Sequence, residues 1–462
     1  MVIQYEFPGL SSKSSKLIKM KHLQLFCFFS LLSLTLGLGN SRLQAQSLYF
    51  PPTTGTTWDT ISPVALGYCQ ENIDSLYNFL DVNNTKAFIL LQDGKIVLEK
   101  YFGTHTATTP WQWASAGKTI TAFMVGMAQQ EGYLNIQDTT SQYLGNGWTD
   151  CTSVEEERIT IRNQLTMTSG LDDGVPDHYC TLDTCLIYKA DAGTRWGYHN
   201  GPYTLLDSVI TVATGQSLNQ YTTQKLKTPT GMTGSFVKVG YNNVYFSTAR
   251  SMARFGLLML NKGKWNNTPV MTDTTYFNEL ISPSQFLNLS YGYLWWLNGQ
   301  SSFMVPTSQI VFPGMFSANA PADMVAGIGS GGQFLNVIRS QNRVWVRMGE
   351  EPNNSAVPFL LNDDIWKYVN RLPCTVSSDQ ALNTQHSVVQ LYPNPGKTDV
   401  YYHAPKGLKR VGIINVQGQE VVSDWHNSEI GSLDVSGLVS GVYCVQFYFQ
   451  DGHMISERWV KN

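Results

Sequence analysis

The pattern of apolar and polar positions divides the chain into segments of different character. Two β-rich runs flank Asp93-Gly94 in "AFILLQDGKIVLEKYF", a sequence typical of a hairpin. Between about 120 and 280, apolar residues recur with a helical period, as in "GPYTLLDSVITVATG". Strand alternation returns in "QFLNVIRSQNRVWVRMG", which predicts a second hairpin. The pattern therefore predicts an α+β domain whose antiparallel sheet is completed late in the chain.

The C-terminal part of the chain has the pattern of a separate module. The stretch 375–386, "TVSSDQALNTQH", is polar and predicts a linker. From 387 to 462, short strands alternate with Gly and Pro turns, which is typical of a small all-β sandwich. We therefore expect a first domain at 46–374, a linker at 375–386 and a sandwich at 387–462.

The N-terminus predicts an export signal. Three lysines between 16 and 21 precede the apolar stretch "LQLFCFFSLLSLTLGLG", and Leu43-Gln44-Ala45 offers a small-residue cleavage site. A membrane anchor is the alternative, but this apolar stretch is shorter than the ~20 residues of a spanning helix. We predict a cleaved signal peptide at 1–45, with Met20 as the more natural start, and no stable membrane span.

Composition narrows the classes of partner. The formal net charge is −3, from 31 basic and 34 acidic residues without a long run of one sign, so no nucleic-acid partner is expected. Of the seven cysteines, Cys27 leaves with the signal peptide, and an exported chain permits disulfides among the others. Cys180 and Cys185 bracket the loop "CTLDTC" and are the predicted pair. The remaining cysteines fit disulfides or buried thiols equally.

The stretch "WASAGKTI", 113–120, fits three kinds of active site. A phosphate-binding loop requires a glycine where Gln112 stands, so that interpretation fails. A nucleophile elbow at Ser115 needs an acid and a histidine later in the domain. Only His178 and His199 follow within that domain, which makes this interpretation weak.

The third interpretation is S-x-x-K, formed by Ser115 and Lys118. Residues three apart on a helix are neighbours, and a buried lysine can accept a serine proton because burial disfavours its charged form. Downstream, Tyr198 and Asn200 form Y-x-N, in which a phenol can shuttle protons and an amide can hold both the lysine and a substrate carbonyl. The two motifs together, in this order, indicate a nucleophilic serine.

These motifs resemble those of the serine β-lactamase and penicillin-recognising family, in its class C-like esterase and 6-aminohexanoate-dimer-hydrolase-like branch. The likeness includes "ASAGKTITAFMVGMAQQEGYLNIQD" and "ITIRNQLTMTSGLDD" and covers most of 75–350. It implies an antiparallel sheet flanked by helices, with a helical subdomain, and an acyl-enzyme mechanism without a cofactor. It also implies four roles: Ser115 as nucleophile, Lys118 as its activating partner, Tyr198 as general base and acid, and Asn200 as positioning residue.

The family has a third motif, K-T-G or H-x-G, on a late strand. Ser330-Gly331-Gly332 is the candidate, and the resemblance implies an oxyanion hole made by the N–H groups of Ser115 and Gln333. Ser330 stands where the β-lactamase pattern has the lysine that helps hold the β-lactam carboxylate. We therefore expect ester or amide hydrolysis in preference to efficient β-lactam hydrolysis.

Two further patterns compete with this interpretation. Gly327, Gly329 and Gly332 match a dinucleotide fingerprint, but such a fingerprint opens a helix, whereas 333–339 alternates like a strand. The acidic stretch "DDGVPDH" at 172–178 could suggest a metal, yet a solvated loop over the active site explains it better. No H-E-x-x-H motif or cysteine cluster supports a catalytic metal, so none is expected.

The C-terminal module resembles the sorting domain of the type IX secretion system of Bacteroidetes, on "LYPNPGKTDVYY", "IINVQGQEVV" and "LVSGVYCVQFYFQDGHMISERWVKN". The resemblance implies passage through the periplasm and export to the surface or medium, with the secretion machinery as partner. A carbohydrate-binding or spacer sandwich is the alternative.

The combined expectation is a secreted serine hydrolase acting on a small-molecule ester or amide. Two alternatives stay open: a β-lactamase or D,D-peptidase-like enzyme on cell-wall-type substrates, and a catalytically silent surface binding protein.

Overall fold

A computed structural model describes residues 48–350, 357–374, 389–415, 419–425, 428–452 and 454–462. The chain divides into two compact units, Met1–Cys374 and Thr375–Asn462. The predicted signal peptide and the predicted linker at 375–386 lie outside the described residues. Within the described ranges, no helix combines the length and the apolar character that crossing a membrane would need.

A six-stranded antiparallel sheet forms the centre of the first unit, in the order β2-β1-β13-β12-β11-β8. The strands of this unit are β1 (Thr85–Gln92), β2 (Lys95–Tyr101), β3 (Trp111–Gln112), β4 (Ser235–Val239), β5 (Asn242–Ser247), β6 (Lys264–Trp265), β7 (Thr268–Pro269), β8 (Trp296–Leu297), β9 (Ser302–Phe303), β10 (Phe312–Pro313), β11 (Met324–Gly329), β12 (Gln333–Ile338) and β13 (Arg343–Gly349). The strands β3, β5 and β4 form a separate small sheet.

The two predicted hairpins are confirmed and pair with each other. At the β1–β2 turn, Asp93 and Gly94 both have positive φ, 51° and 82°, which a tight two-residue hairpin turn requires. The late hairpin β12–β13 joins the early one because β13 pairs with β1, with Leu90 opposite Trp345. The predicted α+β fold, with a sheet completed late in the chain, is confirmed.

Helices cover the sheet and build a subdomain beside it. They are α1 (Gln70–Val82), α2 (Lys118–Gln130), α3 (Ser141–Leu144), α4 (Ser153–Glu156), α5 (Ile161–Leu165), α6 (Asn200–Thr214), α7 (Leu218–Thr222), α8 (Thr228–Thr230), α9 (Ala249–Leu260), α10 (Thr274–Leu280) and α11 (Phe359–Arg371). Helices α1 and α9 contact the sheet, and α11 packs on α1. Helix α2 is buried from Lys118 to Ala128 because it lies in the core, in contact with α6 and α10.

The second unit is the predicted all-β module. Its strands are β14 (Gln390–Tyr392), β15 (Asp399–His403), β16 (Leu408–Ile414), β17 (Glu420–Asp424), β18 (Ile430–Asp434), β19 (Gly441–Phe449) and β20 (Met454–Lys461). They form two sheets, β14-β15-β18 and β17-β16-β19-β20. Buried residues alternate along β19, and Val400, Phe447 and Trp459 belong to a single core. The period-two pattern of the sequence thus marks the inner face of the sandwich.

Two disulfides occur among the described residues of the first unit. Cys180 is joined to Cys185, the pair expected from the sequence, and Cys69 is joined to Cys374, 305 residues away. The second bridge connects the residue before α1 to the end of the segment after α11. Backbone hydrogen bonds flank it, since the Cys69 N–H donates to Leu372 O and the Cys374 N–H to Gly67 O. Cys151 and Cys444 are free thiols.

We predict that the Cys69–Cys374 bridge stabilises the first unit strongly. Replacing both cysteines by serine should lower the free energy of unfolding by about 2–5 kcal/mol, because the bridge closes a long loop in the unfolded chain. Equilibrium denaturation of the exported protein measures the change. Cys151→Ser is the control, and an equal loss in that variant would contradict the prediction.

Candidate active site

Ser115 lies in a short 3-10 turn, Ala114–Gly117, that leads directly into α2. The preceding Ala114 has φ 45°, a left-handed conformation that non-glycine residues rarely adopt. Trp113 holds the turn, because its N–H donates to Tyr245 O at 2.8 Å and its buried indole N–H donates to Ser247 Oγ at 2.8 Å. Strain next to a reactive side chain is typical of an active site that the surrounding fold holds in place.

Lys118 joins Ser115 to the Y-x-N motif. Its Nζ donates to Ser115 Oγ at 3.1 Å and to Asn200 Oδ1 at 2.7 Å. Asn200 reaches this position as the first residue of α6, which packs on α2. The structure therefore brings Asn200 to Ser115 and Lys118, from which the sequence separates it by more than eighty positions.

The environment of Lys118 weakens its positive charge. Burial lowers the pKa of its amine to about 7, and the nearby Asp207 carboxylate opposes that shift. The amine lies 4.3 Å from the ring centroid of Tyr203 and 5.2 Å from that of Tyr198, so aromatic faces supply much of its surroundings. Near neutral pH a large fraction of Lys118 is therefore the neutral amine, which can accept a proton.

Tyr198 is buried within an aromatic cluster beside Ser115. Its ring stacks on Trp296 with a centroid distance of 6.2 Å and meets Tyr291 edge-on. Burial raises the pKa of the Tyr198 phenol well above its usual value, although a hydrogen bond with the Ser115 side chain lowers it. At neutral pH the phenol is thus protonated and can donate.

The β11–β12 hairpin lies against the other side of the 3-10 turn that carries Ser115, and Gly329 is in direct contact with this turn. A Cβ added to Gly329 would lie 2.4 Å from Trp113 O and 3.1 Å from Ser115 N. Only a glycine permits the strand to approach this closely. The next two residues, Ser330 and Gly331, line the same cavity as Ser115.

Gly332 and Gln333, expected at the oxyanion site, have different surroundings. Gln333 is fully buried, and its amide donates to Gly349 O at 2.6 Å and accepts from Gly349 N–H at 3.0 Å. Gly332 packs against the Arg347 guanidinium, which donates to its carbonyl at 2.6 Å. Neither residue lines the cavity, so their contacts hold the hairpin to β13.

The cavity above Ser115 has a volume of about 700 Å³. Its walls come from the loop with Asp177 and Tyr179, the β4–β5 turn at 239–244, and Glu350. Of the cavity-lining residues within the described ranges, Lys118 alone is basic. The site therefore offers a neutral or anionic wall to a substrate, with no fixed cation besides the candidate base.

Three parts of the site were missed by the sequence interpretation. Tyr203 and Asp207 follow Asn200 on α6, at offsets of three and seven that place them on one face of the helix. The β4–β5 turn reaches the cavity through Asn242 and Asn243, and Asn243 donates to Asp207 Oδ2. The helical period could have indicated the first two, whereas the turn comes to the site only through folding.

The two competing patterns have structural explanations. Gly327 and Gly329 lie inside β11, and strand β12 follows the hairpin turn. No helix begins at these glycines, as a dinucleotide-binding fingerprint would require. In the acidic loop, Asp173 pairs with Arg195 at 2.6 Å and Asp172 with Lys189 at 3.3 Å. Among the described residues, no group of three or more His, Cys, Asp or Glu side chains is placed to bind a metal ion.

Comparison with known families agrees with this geometry. A family model described as Beta-lactamase matches residues 85–363. A second model, described as Secretion system C-terminal sorting domain, matches residues 390–462. The two matches fall within the two compact units.

Individual relatives are distant. An uncharacterized protein of Alkalihalophilus pseudofirmus is 23% identical over 266 residues, which are 49% of this chain and 74% of that protein. Protein flp of Staphylococcus aureus (strain COL) is 28% identical over 178 residues, 34% of this chain and 36% of that protein. The chain thus spans about a third of Protein flp.

Solved structures share the fold. A Bacillus anthracis structure assigned as a 6-aminohexanoate-dimer hydrolase has a TM-score of 0.50 at 20% identity, covering 71% of this chain and 90% of that one. A Bacteroides dorei structure assigned as a beta-lactamase has a TM-score of 0.52 at 18% identity, covering 66% of this chain and all of that one. At these identities the likeness is one of fold.

We predict that Gly329→Ala lowers kcat/KM for a p-nitrophenyl ester at least tenfold, because the added methyl group collides with the backbone that carries Ser115. Gly327→Ala is the matched control on the same strand, where the nearest atom is a Thr119 methyl at 3.2 Å. Its loss should be smaller, and circular dichroism should show both variants folded. Equal activity of Gly329→Ala and wild type would contradict the close contact.

Proposed function

The chain belongs to the Beta-lactamase family of serine hydrolases, and we propose that it cleaves an ester or amide bond through an acyl-Ser115 intermediate. The observation that carries this proposal is the position of the Lys118 amine, 3.1 Å from Ser115 Oγ and 2.7 Å from Asn200 Oδ1, beside one cavity. A nucleophile and a base at hydrogen-bonding distance, with a third group orienting the base, have the geometry of covalent catalysis.

In the first step, Lys118 acts as the base. Its neutral amine accepts the Oγ proton while Ser115 attacks the substrate carbonyl, and the Asn200 carbonyl oxygen holds the amine in line. The carbonyl π bond becomes the tetrahedral oxyanion. Burial supports this role, because it lowers the pKa of Lys118 towards the working pH.

Tyr198 carries the proton to the leaving group. Burial raises the pKa of the Tyr198 phenol, so the phenol serves as a proton donor. We therefore assign the role of general base, expected for Tyr198 from the sequence, to Lys118. The phenol gives its proton to the departing oxygen or nitrogen and regains one from the Lys118 ammonium. In deacylation a water molecule attacks the acyl carbonyl and passes its proton through Tyr198 to the Lys118 amine. The bond between the acyl carbon and Ser115 Oγ then breaks, Oγ takes the proton back from Lys118, and the acid is released.

We assign the backbone N–H groups of Ser115 and Ser330 as the donors that stabilise the oxyanion. Ser330 lines the cavity and follows Gly329, which contacts the turn that carries Ser115, whereas Gln333 is fully buried and does not line the cavity. A pair of backbone donors fixed before the reaction stabilises developing negative charge without reorganisation. Gln333 is instead a residue that fixes the hairpin.

The lining favours substrates without a carboxylate next to the scissile bond. Ser330 supplies no positive charge, and the walls carry Asp177 together with Glu350, which pairs with Lys86 at 3.4 Å. A β-lactam or a cell-wall peptide presents such a carboxylate, which these residues would not pair. An ester or a linear amide of a neutral or amine-bearing compound suits the cavity better.

The sorting domain indicates where the protein is located. Its presence at 390–462 indicates a secreted or cell-surface protein handled by the type IX secretion machinery. Hydrolysis of a small ester or amide outside the cell follows from combining this location with the proposed chemistry.

We predict that the mature protein takes up a serine-directed activity probe and hydrolyses p-nitrophenyl esters, and that Ser115→Ala abolishes both. The loss should be at least three orders of magnitude because the covalent route is removed. Ser330→Ala is the control and should still be labelled, since Ser115 is intact. Nitrocefin should react more slowly than the best ester or linear amide.

Two results would contradict this function. A wild-type protein that is neither labelled nor able to hydrolyse any ester or linear amide would indicate a binding protein. Nitrocefin turnover equal to that of the best ester would indicate a β-lactamase and refute the expected preference.

We predict an acidic limb near pH 7 in the pH profile of kcat/KM. The amine of Lys118 has its pKa lowered to about 7 and must be neutral to act, so activity is lost as the pH falls through this value. Tyr198→Phe should lower the plateau by about two orders of magnitude and keep the midpoint of the limb. A residual activity in Lys118→Ala with an unchanged limb would assign the titration to another group.

A further inference from the structure

A buried carboxylate on α6 faces the candidate base and is not used by the proposed chemistry. Asn200, Tyr203 and Asp207 lie on one face of this helix, and the first two contact Lys118. Asp207 is one turn beyond Tyr203 and is 6% exposed. A carboxylate at such a depth is costly unless a hydrogen bond or an opposite charge compensates it.

The hydrogen bonds of Asp207 compensate only one of its oxygens. Oδ2 accepts from the Asn243 side-chain amide, while the buried Oδ1 has no hydrogen-bond partner among the residues that the structure describes. The cation that acts on Asp207 is Lys118, and Asp207 is the charged group that acts on Lys118. Burial raises the pKa of the Asp207 carboxyl to about 7, and the Asn243 hydrogen bond and the Lys118 charge oppose this shift. The two buried side chains therefore interact through space, each favouring the charged form of the other.

Asn243 fixes the carboxylate from the opposite side. It lies on β5, and its neighbour Asn242 accepts a hydrogen bond from Thr204 Oγ1 of α6 at 3.2 Å. Both asparagines also line the substrate cavity. The cavity wall thus holds Asp207 at a set position relative to the base.

We propose that Asp207 is a positioning residue for the hydrolase: a buried counter-charge, held by Asn243, that sets the pH at which Lys118 becomes the neutral proton acceptor for Ser115. This inference rests on the proposed function, because it assigns to Asp207 an effect on the base of that reaction. Asp207 does not line the cavity above Ser115 and acts only through Lys118.

The direction of the effect follows from the groups that surround the amine. They are Ser115 from the 3-10 turn, Tyr198 from the segment before α6, and Asn200, Tyr203 and Asp207 from α6. Of these, Asp207 is the carboxylate, and its negative charge stabilises the ammonium form of Lys118 against the effect of burial. Removing the charge leaves burial unopposed, so the amine becomes neutral at a lower pH.

The decisive experiment is the pH profile of Asp207→Asn. The variant keeps the shape of the side chain and loses its charge, so the acidic limb of kcat/KM should move to lower pH by about one unit, as expected for loss of a nearby opposite charge. Asp191→Asn is the matched control, because this carboxylate is on the surface and pairs with Arg158. Its limb should coincide with that of the wild type.

An unmoved limb in a folded Asp207→Asn variant, with or without a lower plateau, would show a structural role only and overturn the proposal. A limb moved to higher pH would overturn it as well. If wild type has no activity at all, the proposed function fails, and the pairing itself is then tested by stability.

The stability test also covers a poorly folding Asp207→Asn variant. Lys118→Met, Asp207→Asn and the double variant are compared by thermal unfolding at pH 5, where the Lys118 amine stays protonated even after its pKa falls in Asp207→Asn. Removal of one member of a buried pair leaves the other charge uncompensated, so the double variant should unfold at a higher temperature than Asp207→Asn alone. A double variant whose loss equals the sum of the single losses would overturn the pairing.

Discussion

The whole candidate site depends on the burial of the Lys118 amine beside the Ser115 hydroxyl. Water around the whole Lys118 side chain would keep it charged and unable to accept a proton, so the fold buries it except where it borders the cavity above Ser115. This requires α2 to be buried around its whole circumference and α6 to pack against it. The polar partners of the amine are Ser115, in the turn directly before α2, and Asn200, the first residue of α6. A single constraint thus explains both the packing of the helical subdomain and the reactivity of the site.

The central sheet contributes the other wall of the candidate site, opposite Ser115 and Lys118. Strand β11 must approach the nucleophile turn closely enough for its backbone to face the substrate, and Gly329 makes this possible. The turn in return holds Ala114 in a left-handed conformation, with Trp113 anchored to the small sheet through Tyr245 and Ser247. Strain at one residue is therefore balanced by hydrogen bonds to a different layer of the domain.

Local sequence signals predicted those parts of the molecule that local physics determines. The Asp93-Gly94 hairpin, the late hairpin and the alternating strands of the C-terminal module follow from turn chemistry and period-two patterning. The S-x-x-K spacing predicted a contact within one helical turn. The position of the β4–β5 turn at the cavity, the Cys69–Cys374 bridge and the exclusion of Gln333 from the cavity could not be predicted in this way. Each depends on which distant segments meet, and a hairpin shifted by one residue would present a different amide to the substrate.

The absence of charge at Ser330 links substrate preference to the state of the base. A lysine at this position would attract a substrate carboxylate and would also repel the Lys118 ammonium across the same cavity, favouring its neutral form. Here Ser330 provides neither effect, so burial is the cause that lowers the pKa of Lys118, while Asp207 opposes it. A cavity lined by no cation besides Lys118 thus relies on burial to lower the pKa of that amine, and helix α2 provides the burial. Under the proposed function, the uncharged Ser330 and the buried Lys118 together determine specificity and basicity.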